Sequence, residues 1–350
     1  MTKSLIIRLT SLGDVIFTLP LMNAFKGDGH EIGYLVAEKG LGVIKNNPLI
    51  TKVHFVPLKE WKKRPFSLRT FIEFIQIIKE IRKEKYDIAV DCQQMFKSLF
   101  LFMLCGAKRR ITFKDAREFS ILGGNEFIEP KAEFRDFNYH IVERNLDFAR
   151  YLGIEPNEIK FNLPETSAET KNKIDEITSK FVFGKSIVVL SPATTWENKH
   201  WKPENWAKLA ESIDEKCNLV FTGTSSDEKL IEDILSYSSK PIKFFNLVGK
   251  TNVEELRELF SRSKIVVSPD SGSSNLAWST SNPAVIAIFT STPSKRFGPY
   301  GDSGKYFSIQ AKLACQPCFK KKCRLKEAKN ICKNYPEANE IINIVNNLLI

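Results

Sequence analysis

The sequence predicts an α/β protein with two doubly wound halves, each a parallel sheet covered by helices on both faces. Its 350 residues are about twice the length of an ordinary domain. Short apolar segments alternate with amphipathic ones along the chain, and a polar stretch at 155–172 interrupts this alternation. We therefore predict one domain over residues 1–160 and a second over residues 161–350.

The first half contains three apolar segments with the length of buried strands, at 4–9, 31–37 and 86–92. Between the last two, apolar residues recur at three- and four-residue steps, which predicts a helix within 67–86 with one apolar face. These residues are Leu68, Phe71, Ile72, Ile75, Ile78 and Ile81. Strands alternating with such helices are typical of a parallel sheet covered on both faces.

The alternation restarts in the second half. Strands are predicted at 186–191, 218–223, 264–268 and 284–289, and helices at 204–213 and 253–263. In such folds ligands bind beyond the carboxyl ends of the strands, where helix N-termini present unpaired N–H groups. The loops after the strands are therefore the segments in which we expect functional residues.

Positive charge is concentrated in two stretches of a chain whose formal net charge is +11. Residues 97–117 contain six Lys or Arg and one acid, and residues 295–333 contain eleven against Asp302 and Glu327. Such clusters indicate either an anionic partner or a solvated basic surface. Nucleic acid is not the expected partner, because the interleaving of aromatic and basic residues typical of its binding sites is absent.

Several features indicate a cytoplasmic protein. No apolar run approaches the ~18 residues of a membrane-spanning helix. The apolar start at 5–9 is too short for the core of a signal peptide, and Arg8 interrupts it. Seven cysteines, an odd number without a secretory signal, point to a reducing compartment.

The last four cysteines follow the spacing Cys-x2-Cys-x4-Cys-x8-Cys, at Cys315, Cys318, Cys323 and Cys332. One tight pair makes a zinc site conceivable, but a second Cys-x2-Cys is missing. Reduced thiols that pack against the basic loop are favoured over a metal site.

A carboxylate interrupts the apolar start of the chain. The segment Thr10–Asp14 follows the first predicted strand and carries one glycine, Gly13. A dinucleotide-binding loop needs three spaced glycines there, so a nicotinamide dehydrogenase is not expected. Asp14 is suited either to accept a proton in a cleft or to cap the next helix, and this segment alone does not separate the two.

Two loops of the second half carry groups suited to a phosphorylated ligand. After the first strand of that half, Thr194 and Thr195 offer hydroxyls and Lys199 offers a positive charge, although a polar surface loop explains them equally well. Two strands later, the residues 270–273 open a helix whose N–H groups can receive an anion. Asp270 is suited instead to sugar hydroxyls, and Gly272 permits close approach of a ligand to the backbone.

Several segments carry a family resemblance: "IIRLTSLGDVIFTLP", "ATTWENKHWKPENWAKLA", "PDSGSSNLAWSTSNPAVIAIFTSTPSKRFGPYG" and "CQPCFKKKC", with "YDIAVDCQQMFKS", "DAREF" and "HIVERN" between them. They resemble the motifs of bacterial ADP-heptose:lipopolysaccharide heptosyltransferases in glycosyltransferase family 9, closest to the heptosyltransferase I type. The resemblance covers nearly the whole chain. It implies the GT-B fold, with two Rossmann-like domains facing a central cleft, an inverting mechanism, no cofactor and no catalytic metal.

The resemblance also implies a role for each matched residue. Asp14 would be the catalytic base. The implied donor-binding residues are Thr194, Thr195, Lys199, Asp270, Ser271, Gly272 and Asn275. The implied acceptor-binding residues are Ser11, Gly13, Lys97, Arg109, Arg110 and Arg117. The partners would be ADP-heptose and the anionic inner core of lipopolysaccharide, in its Kdo–lipid A region, with peripheral contact at the inner face of the cytoplasmic membrane.

Two positions depart from the family pattern Asp-Thr/Ser-Gly-x-x-His. Asn275 stands at the histidine position, and Trp278 replaces a small residue just beyond it. Asparagine donates a neutral hydrogen bond but carries no charge. The sequence therefore leaves open another nucleotide sugar or acceptor, or a catalytically silent binding protein of the same fold.

Overall fold

The structure is a computed structural model that describes residues 1–132, 136–156, 158–301, 304–327 and 329–350. Asp302, counted above among the acids of the second basic stretch, lies outside these residues. The described chain divides into two compact units, Met1–Glu165 and Thr166–Ile350. The boundary between the two units lies inside the polar stretch at 155–172.

The first unit alternates strands and helices. Its strands are β1 (Lys3–Ile7), β2 (Glu31–Ala37), β3 (Lys52–Val56), β4 (Ile88–Asp91), β5 (Arg109–Phe113) and β6 (Glu126–Ile128). Its helices are α1 (Leu12–Ile16), α2 (Leu19–Gly27), α3 (Glu38–Ile44), α4 (Leu58–Lys63), α5 (Leu68–Lys83), α6 (Phe96–Leu104) and α7 (Ile141–Tyr151), with a 3₁₀ turn at Ser120–Gly123.

These strands form a parallel sheet of order β3-β2-β1-β4-β5-β6. The last residue of β1, Ile7, pairs with Leu35 on one side and with Asp91 on the other. Because the winding reverses between β1 and β4, the loops after these two strands diverge and leave room for a ligand at the carboxyl edge. That crevice is where the segment Thr10–Asp14 lies.

Helix α5 forms as the apolar spacing predicts, but only part of its apolar face is buried. Ile78 and Ile81 pack into the core of the first unit. Leu68, Phe71 and Ile72 are instead exposed, with Leu68 at 75%. The spacing predicts a shared face and cannot tell how far the sheet beneath that face extends.

The second unit repeats the same alternation. Its strands are β7 (Ile187–Leu190), β8 (Asn218–Phe221), β9 (Phe245–Asn246), β10 (Ile265–Pro269), β11 (Ala284–Phe289) and β12 (Tyr306–Gln310). Its helices are α8 (Ala168–Thr178), α9 (Pro203–Ile213), α10 (Glu228–Ser236), α11 (Val253–Arg262), α12 (Gly272–Ser279), α13 (Ser294–Phe297) and α14 (Ala338–Leu349). The 3₁₀ turns are Glu197–Lys199, Ser225–Asp227 and Ile331–Asn334.

The second sheet is also parallel, with the order β12-β11-β10-β7-β8-β9. Its winding reverses between β7 and β10, so the loops after these two strands flank a second crevice at its carboxyl edge. Trp201 and Trp206 are buried beside this sheet with ring centroids 5.1 Å apart, so they are packing residues of its core. Among the described residues, no helix has the length and apolar character needed to cross a membrane.

Candidate active site

Asp14 lies in the crevice at the carboxyl edge of the first sheet, as the third residue of α1. One oxygen, Oδ2, accepts hydrogen bonds from the backbone N–H and the hydroxyl of Ser11, both at 2.8 Å. The other oxygen, Oδ1, is 2.6 Å from Nη2 of Arg8. The contacts of a helix cap are therefore present, and they occupy one side of the carboxylate.

Arg8 keeps Asp14 charged. Burial acts to raise the pKa of Asp14, but the charge of Arg8 and the hydrogen bonds from Ser11 and Arg8 outweigh it, so this pKa lies below its ordinary value of 3.8. The Asp14 side chain is nevertheless 29% exposed, whereas that of Arg8 is 11% exposed. Asp14 is thus an ionised carboxylate that a solvent-borne hydroxyl can reach.

The loop after β4 joins the Asp14 loop across the crevice. Oε1 of Gln93 accepts hydrogen bonds from the backbone N–H groups of Leu9 and Thr10, at 3.1 and 3.0 Å. Lys97, near the start of α6, donates to the hydroxyl of Thr10. Partial burial and the charge of Arg8 lower the pKa of Lys97 to about 8.

Three other predicted acceptor residues lie at this same edge. Ser11 is exposed beside Asp14, and Gly13 is buried in the first turn of α1. Arg117 follows the carboxyl end of β5, and the charges of Arg8 and Asp14 both act on its guanidinium. The structure therefore brings Ser11, Gly13, Lys97 and Arg117 into the neighbourhood of Asp14.

Arg109 and Arg110 lie elsewhere, and for them the expectation needs correction. They are the first two residues of β5, and Arg109 pairs in register with Ile88 at the start of β4. In a parallel sheet this is the amino edge, opposite to the edge that carries Asp14. Arg109 is also engaged by Glu126 through two hydrogen bonds of 2.7 and 2.8 Å. We therefore leave both arginines out of the candidate site.

In the second unit, the loops after β7, β10 and β11 meet at the carboxyl edge. Nζ of Lys199 is 2.6 Å from Oδ2 of Asp270. The hydroxyl of Thr292 donates to the same oxygen at 2.5 Å. Asp270 is buried, and Lys199 is 16% exposed. A lysine from one loop is thus held by a carboxylate from the neighbouring loop, which explains how residues 71 positions apart meet.

The rest of the Lys199 loop is tied to the second basic stretch. The backbone N–H of Asn198 donates to the carbonyl of Lys321 at 3.3 Å, and its side chain donates to that of Lys320 at 3.0 Å. Thr194 is half-buried and Thr195 is exposed, and the Thr194 carbonyl is 3.0 Å from a ring nitrogen of His200. The backbone of Lys320 and Lys321 therefore lies against the loop that offers the hydroxyls and Lys199, and Nζ of Lys321 is 5.8 Å from the centroid of the Trp196 ring in that loop.

Helix α12 begins at this edge with Ser271 as its N-cap. The hydroxyl of Ser271 accepts from the backbone N–H of Ser273 at 3.2 Å and lies 3.0 Å from the hydroxyl of Ser268. Gly272 is the first residue of the helix, beside the buried Asp270. The N-terminal amides of the helix and the Lys199 ammonium are consequently on the same side of the sheet.

The two departures from the family pattern contact each other. The indole N–H of Trp278 donates to Oδ1 of Asn275 at 3.1 Å, and both residues are buried within α12. A residue three positions on in a helix lies one turn further along the same face. The two substitutions therefore form one structural unit.

Some contributing residues were missed from the sequence. The sequence does contain an indication of the role of Arg8, because a charged residue inside a buried strand needs a partner. Nothing in the sequence singles out Gln93 and Thr292, since polar residues after a strand are common. Only the folded loops show which atoms these two side chains contact.

The late cysteines approach one another around the 3₁₀ turn Ile331–Asn334. Burial, together with the electrostatic influence of the other three, raises the pKa of Cys332 to about 11. All seven cysteines of the chain are free thiols. Among the described residues, no group of three or more His, Cys, Asp or Glu side chains is arranged to hold a metal ion.

Comparison with known proteins identifies the family. The profile of glycosyltransferase family 9 (heptosyltransferase) matches residues 74–329. The lipopolysaccharide core heptosyltransferase OpsX of Haemophilus influenzae is 24% identical over 88% of this chain and 84% of its own length. Lipopolysaccharide heptosyltransferase 1 of Campylobacter coli is 26% identical over 84% of this chain and 85% of its own length.

A solved structure agrees with the fold. The Escherichia coli heptosyltransferase WaaC with ADP superimposes with a TM-score of 0.74 at 21% sequence identity, covering 99% of this chain and all of that one. The predicted GT-B class, with two Rossmann-like doubly wound domains, is thereby confirmed. The family profile spans well over half of the chain, so the resemblance seen in the sequence is confirmed as well: the chain belongs to glycosyltransferase family 9, the heptosyltransferases.

Proposed function

We propose that this protein is an inverting heptosyltransferase that transfers heptose from ADP-heptose to the inner core of lipopolysaccharide, in its Kdo–lipid A region. The observation that carries the proposal is the meeting of Lys199, Asp270 and the N-terminus of α12 at the switch point of the second sheet. A cation beside the N-terminus of a helix suits a diphosphate, because the helix dipole favours negative charge there. The names of the two relatives, and the ADP in the WaaC structure, support this choice of reaction.

The proposed donor-binding residues are Thr194, Thr195, Lys199, Asn275 and the segment Asp270–Gly272. In this proposal the hydroxyls and the ammonium bind the diphosphate, and the start of α12 receives a phosphate oxygen. Asp270 accepts from hydroxyls of the heptose while it holds Lys199 in position.

The departing ADP gains negative charge as the bond to the sugar breaks. Lys199 and the amides at the start of α12 are preorganised to stabilise that charge in the transition state. The ammonium of Lys321, over the ring of Trp196, adds positive potential to the same region. We propose that these groups neutralise the charge of the departing ADP and that transfer needs no catalytic metal.

Asp14 is the proposed base. A sugar hydroxyl is a weak nucleophile, so a carboxylate that accepts its proton assists its attack on the anomeric carbon. Attack from the face opposite to the leaving ADP inverts the anomeric configuration. Ser11 occupies both lone-pair sites of Oδ2 of Asp14 and Arg8 occupies one of Oδ1, which leaves the second lone pair of Oδ1 to meet the acceptor.

The proposed acceptor-binding residues add positive charge around Asp14. Lys97 and Arg117 are suited to the carboxylates and phosphates of an anionic lipopolysaccharide core, and Ser11 and Gly13 line the loop that carries the base.

The acceptor KM should rise as the pH rises through about 8, because the ammonium of Lys97 loses its charge there. The cation is present below that pH and lost above it. Lys97→Arg should remove this dependence, since a guanidinium stays charged, while Lys97→Ala should raise the acceptor KM at pH 7 by roughly tenfold. Initial rates over a pH series, with the KM for donor followed in parallel, measure both effects.

Arg109→Ala serves as the control for that experiment. Arg109 is also a cationic side chain, but it lies at the amino edge of the sheet, bound to Glu126. The Arg109→Ala variant should leave the acceptor KM unchanged. A larger effect from Arg109 than from Lys97 would move the acceptor to the other edge of the sheet.

Asn275→Ala should lower the free energy of unfolding by about 1–3 kcal/mol, because the buried indole N–H of Trp278 loses its acceptor. Combining it with Trp278→Phe should cost less than the sum of the two single changes, since both changes break the same hydrogen bond. Urea unfolding of the four proteins measures this coupling. Strict additivity would mean that the 3.1 Å contact contributes nothing.

The donor is tested by incubating the protein with a panel of nucleotide sugars and a lipopolysaccharide inner-core acceptor, and following release of the nucleoside diphosphate. ADP-heptose should be turned over fastest. The neutral Asn275 favours one alternative, a family 9 enzyme with another nucleotide sugar, and faster turnover of such a donor would establish it. No turnover with any donor, together with retained ADP binding, would indicate a catalytically silent binding protein.

We further propose that the enzyme works in the cytoplasm at the inner face of the membrane. The seven free thiols are those expected of a reducing compartment. A lipid-anchored acceptor would hold the enzyme at a membrane surface while transfer takes place.

A further inference from the structure

An apolar surface on the first unit has no role in the site described above. Helix α6 has two faces: Leu99, Leu101 and Phe102 pack inward, while a second set of large apolar residues points outward. The outward set on α6 is Phe96, Phe100, Met103 and Leu104, at the spacing i, i+4, i+7 and i+8 of a single helix face. Water-facing helices ordinarily carry polar residues at those positions.

The 3₁₀ turn Ser120–Gly123 extends this surface. Gly123 packs against Leu99 and Phe102, so the turn lies beside α6. Phe119 and Leu122, at the start of the turn and within it, are 74% and 68% exposed. We call the six residues Phe96, Phe100, Met103, Leu104, Phe119 and Leu122 the α6 patch; their exposures range from 37% to 74%.

Positive charge adjoins the α6 patch. The segment 59–69 contains five Lys or Arg and one acid, and Lys62, Lys63 and Arg69 are exposed within it. It lies near α6, because Leu58 and Trp61 pack into the same hydrophobic core as Leu101 and Phe102 of that helix, and the charge of Lys62 acts on Lys97. Apolar residues of α5 follow the basic segment and are exposed as well, including Phe71 and Ile72.

The position of the patch relative to Asp14 suggests what covers it. Phe96 adjoins Lys97, which donates to the Thr10 hydroxyl in the loop that carries Asp14. The patch therefore begins beside the proposed acceptor site and continues away from it along α6. An acceptor held in a bilayer by its lipid would reach Asp14 if this surface rested on the same bilayer.

We propose that the α6 patch rests on the surface of an anionic lipid bilayer, with the basic segment 59–69 against the headgroups. Aromatic and aliphatic side chains on one side of a helix insert to the depth of the headgroup–acyl boundary, and lysines and arginines beside them bind anionic lipids. The inference rests on the proposed function only for the identity of the acceptor.

The test uses the full-length protein and vesicles of phosphatidylethanolamine and phosphatidylglycerol. The variant Phe100→Gln/Met103→Gln/Leu122→Gln removes three exposed apolar side chains and touches none of the proposed catalytic or binding residues. Its partition onto the vesicles should fall at least roughly tenfold. Its turnover of a deacylated, water-soluble acceptor should match wild type, while turnover of a vesicle-embedded acceptor should fall.

A matched control removes three exposed apolar residues from the second unit, Val182, Phe183 and Leu325. Val182→Gln/Phe183→Gln/Leu325→Gln should bind the vesicles as wild type does. Charge reversal by Lys62→Glu/Lys63→Glu should weaken binding to these vesicles but not to vesicles of phosphatidylcholine alone, and added salt should act in the same direction.

Equal partition of the α6 variant and wild type would overturn the proposal. A second contrary result would be a lipid-free dimer of wild type that the α6 variant abolishes, because the patch would then contact a second copy of the chain. If wild type binds the vesicles through the α6 patch but transfers no heptose, the α6 patch is a membrane-binding surface and the proposed function as a heptosyltransferase is wrong.

Discussion

Asp14→Asn is expected to reduce heptose transfer by roughly 10²–10⁴-fold while the protein remains folded and binds ADP normally. Asparagine keeps an oxygen that can accept from Ser11 and caps a helix about as well as aspartate, but it is not a useful base. Arg8 loses its counter-ion in this variant, so we also expect the free energy of unfolding to fall by about 1–3 kcal/mol. Single-turnover transfer assays, urea unfolding and ADP titration separate these effects.

The chain offers a matched control for Asp14 in a second capping aspartate. Asp227 accepts hydrogen bonds on Oδ2 from the backbone N–H and the hydroxyl of Thr224, at 2.7 and 2.6 Å, as Asp14 does from Ser11. Asp227→Asn should leave transfer unchanged. If Asp14→Asn also transferred heptose at nearly the wild-type rate, Asp14 would be a helix cap and not the base.

The pH dependence of stability gives an independent check on the Arg8–Asp14 pair. The pKa of Asp14 is lowered in the folded protein. Its contribution to the free energy of unfolding is therefore fully present above the ordinary carboxyl pKa near 3.8 and is lost as the pH falls through the lower native value. Wild type should lose this contribution on acidification, and Asp14→Asn should not show that loss.

Lys199→Ala is expected to weaken ADP binding by roughly 10- to 100-fold. The side chain has two tasks in the proposed site, because its ammonium binds the diphosphate and also neutralises the buried carboxylate of Asp270. Without it, Asp270 would repel the incoming phosphates. Isothermal titration with ADP measures the affinity, and the double variant Lys199→Ala/Asp270→Asn should recover part of it.

Lys240 provides the control for the loss of a lysine from a buried carboxylate. Its Nζ lies 3.1 Å from Oδ1 of Asp214, whose side chain is 2% exposed. Both residues belong to the second unit, as Lys199 and Asp270 do. Lys240→Ala should destabilise the protein, as Lys199→Ala does, but leave ADP affinity at the wild-type value. An unchanged ADP affinity in folded Lys199→Ala would show that this loop does not hold the diphosphate.

The features that could be predicted from the sequence are those set by local pattern and by the rules of parallel sheets. Buried strands such as 31–37 stand out as apolar runs, and that segment coincides with β2. Lys199 and Asp270 are far apart in the chain, yet both follow strands of one parallel sheet, so their convergence at its carboxyl edge was expected.

The features that could not be predicted depend on strand boundaries and on the extent of packing. In the sequence, Arg109 and Arg110 belong to the same basic stretch as Arg117. In the structure these two arginines begin β5 and Arg117 follows its end, so the length of the strand separates them. Charge composition does not record which edge of a sheet a residue lies on. In the same way, the spacing in α5 gives a common face, whereas the exposure of Phe71 depends on where its neighbours end.

The contact between Asn275 and Trp278 constrains how this chain can diverge from, or return to, the family pattern of a histidine followed by a small residue. A small residue at 278 alone would leave a void the size of an indole beside Asn275, and losing the Asn275 amide oxygen alone would remove the hydrogen bond that the buried indole N–H donates to it. Each single step passes through a less stable ancestor, so the two replacements favour each other's fixation. Among natural homologues, an asparagine at the first position should therefore be inherited together with a tryptophan at the second.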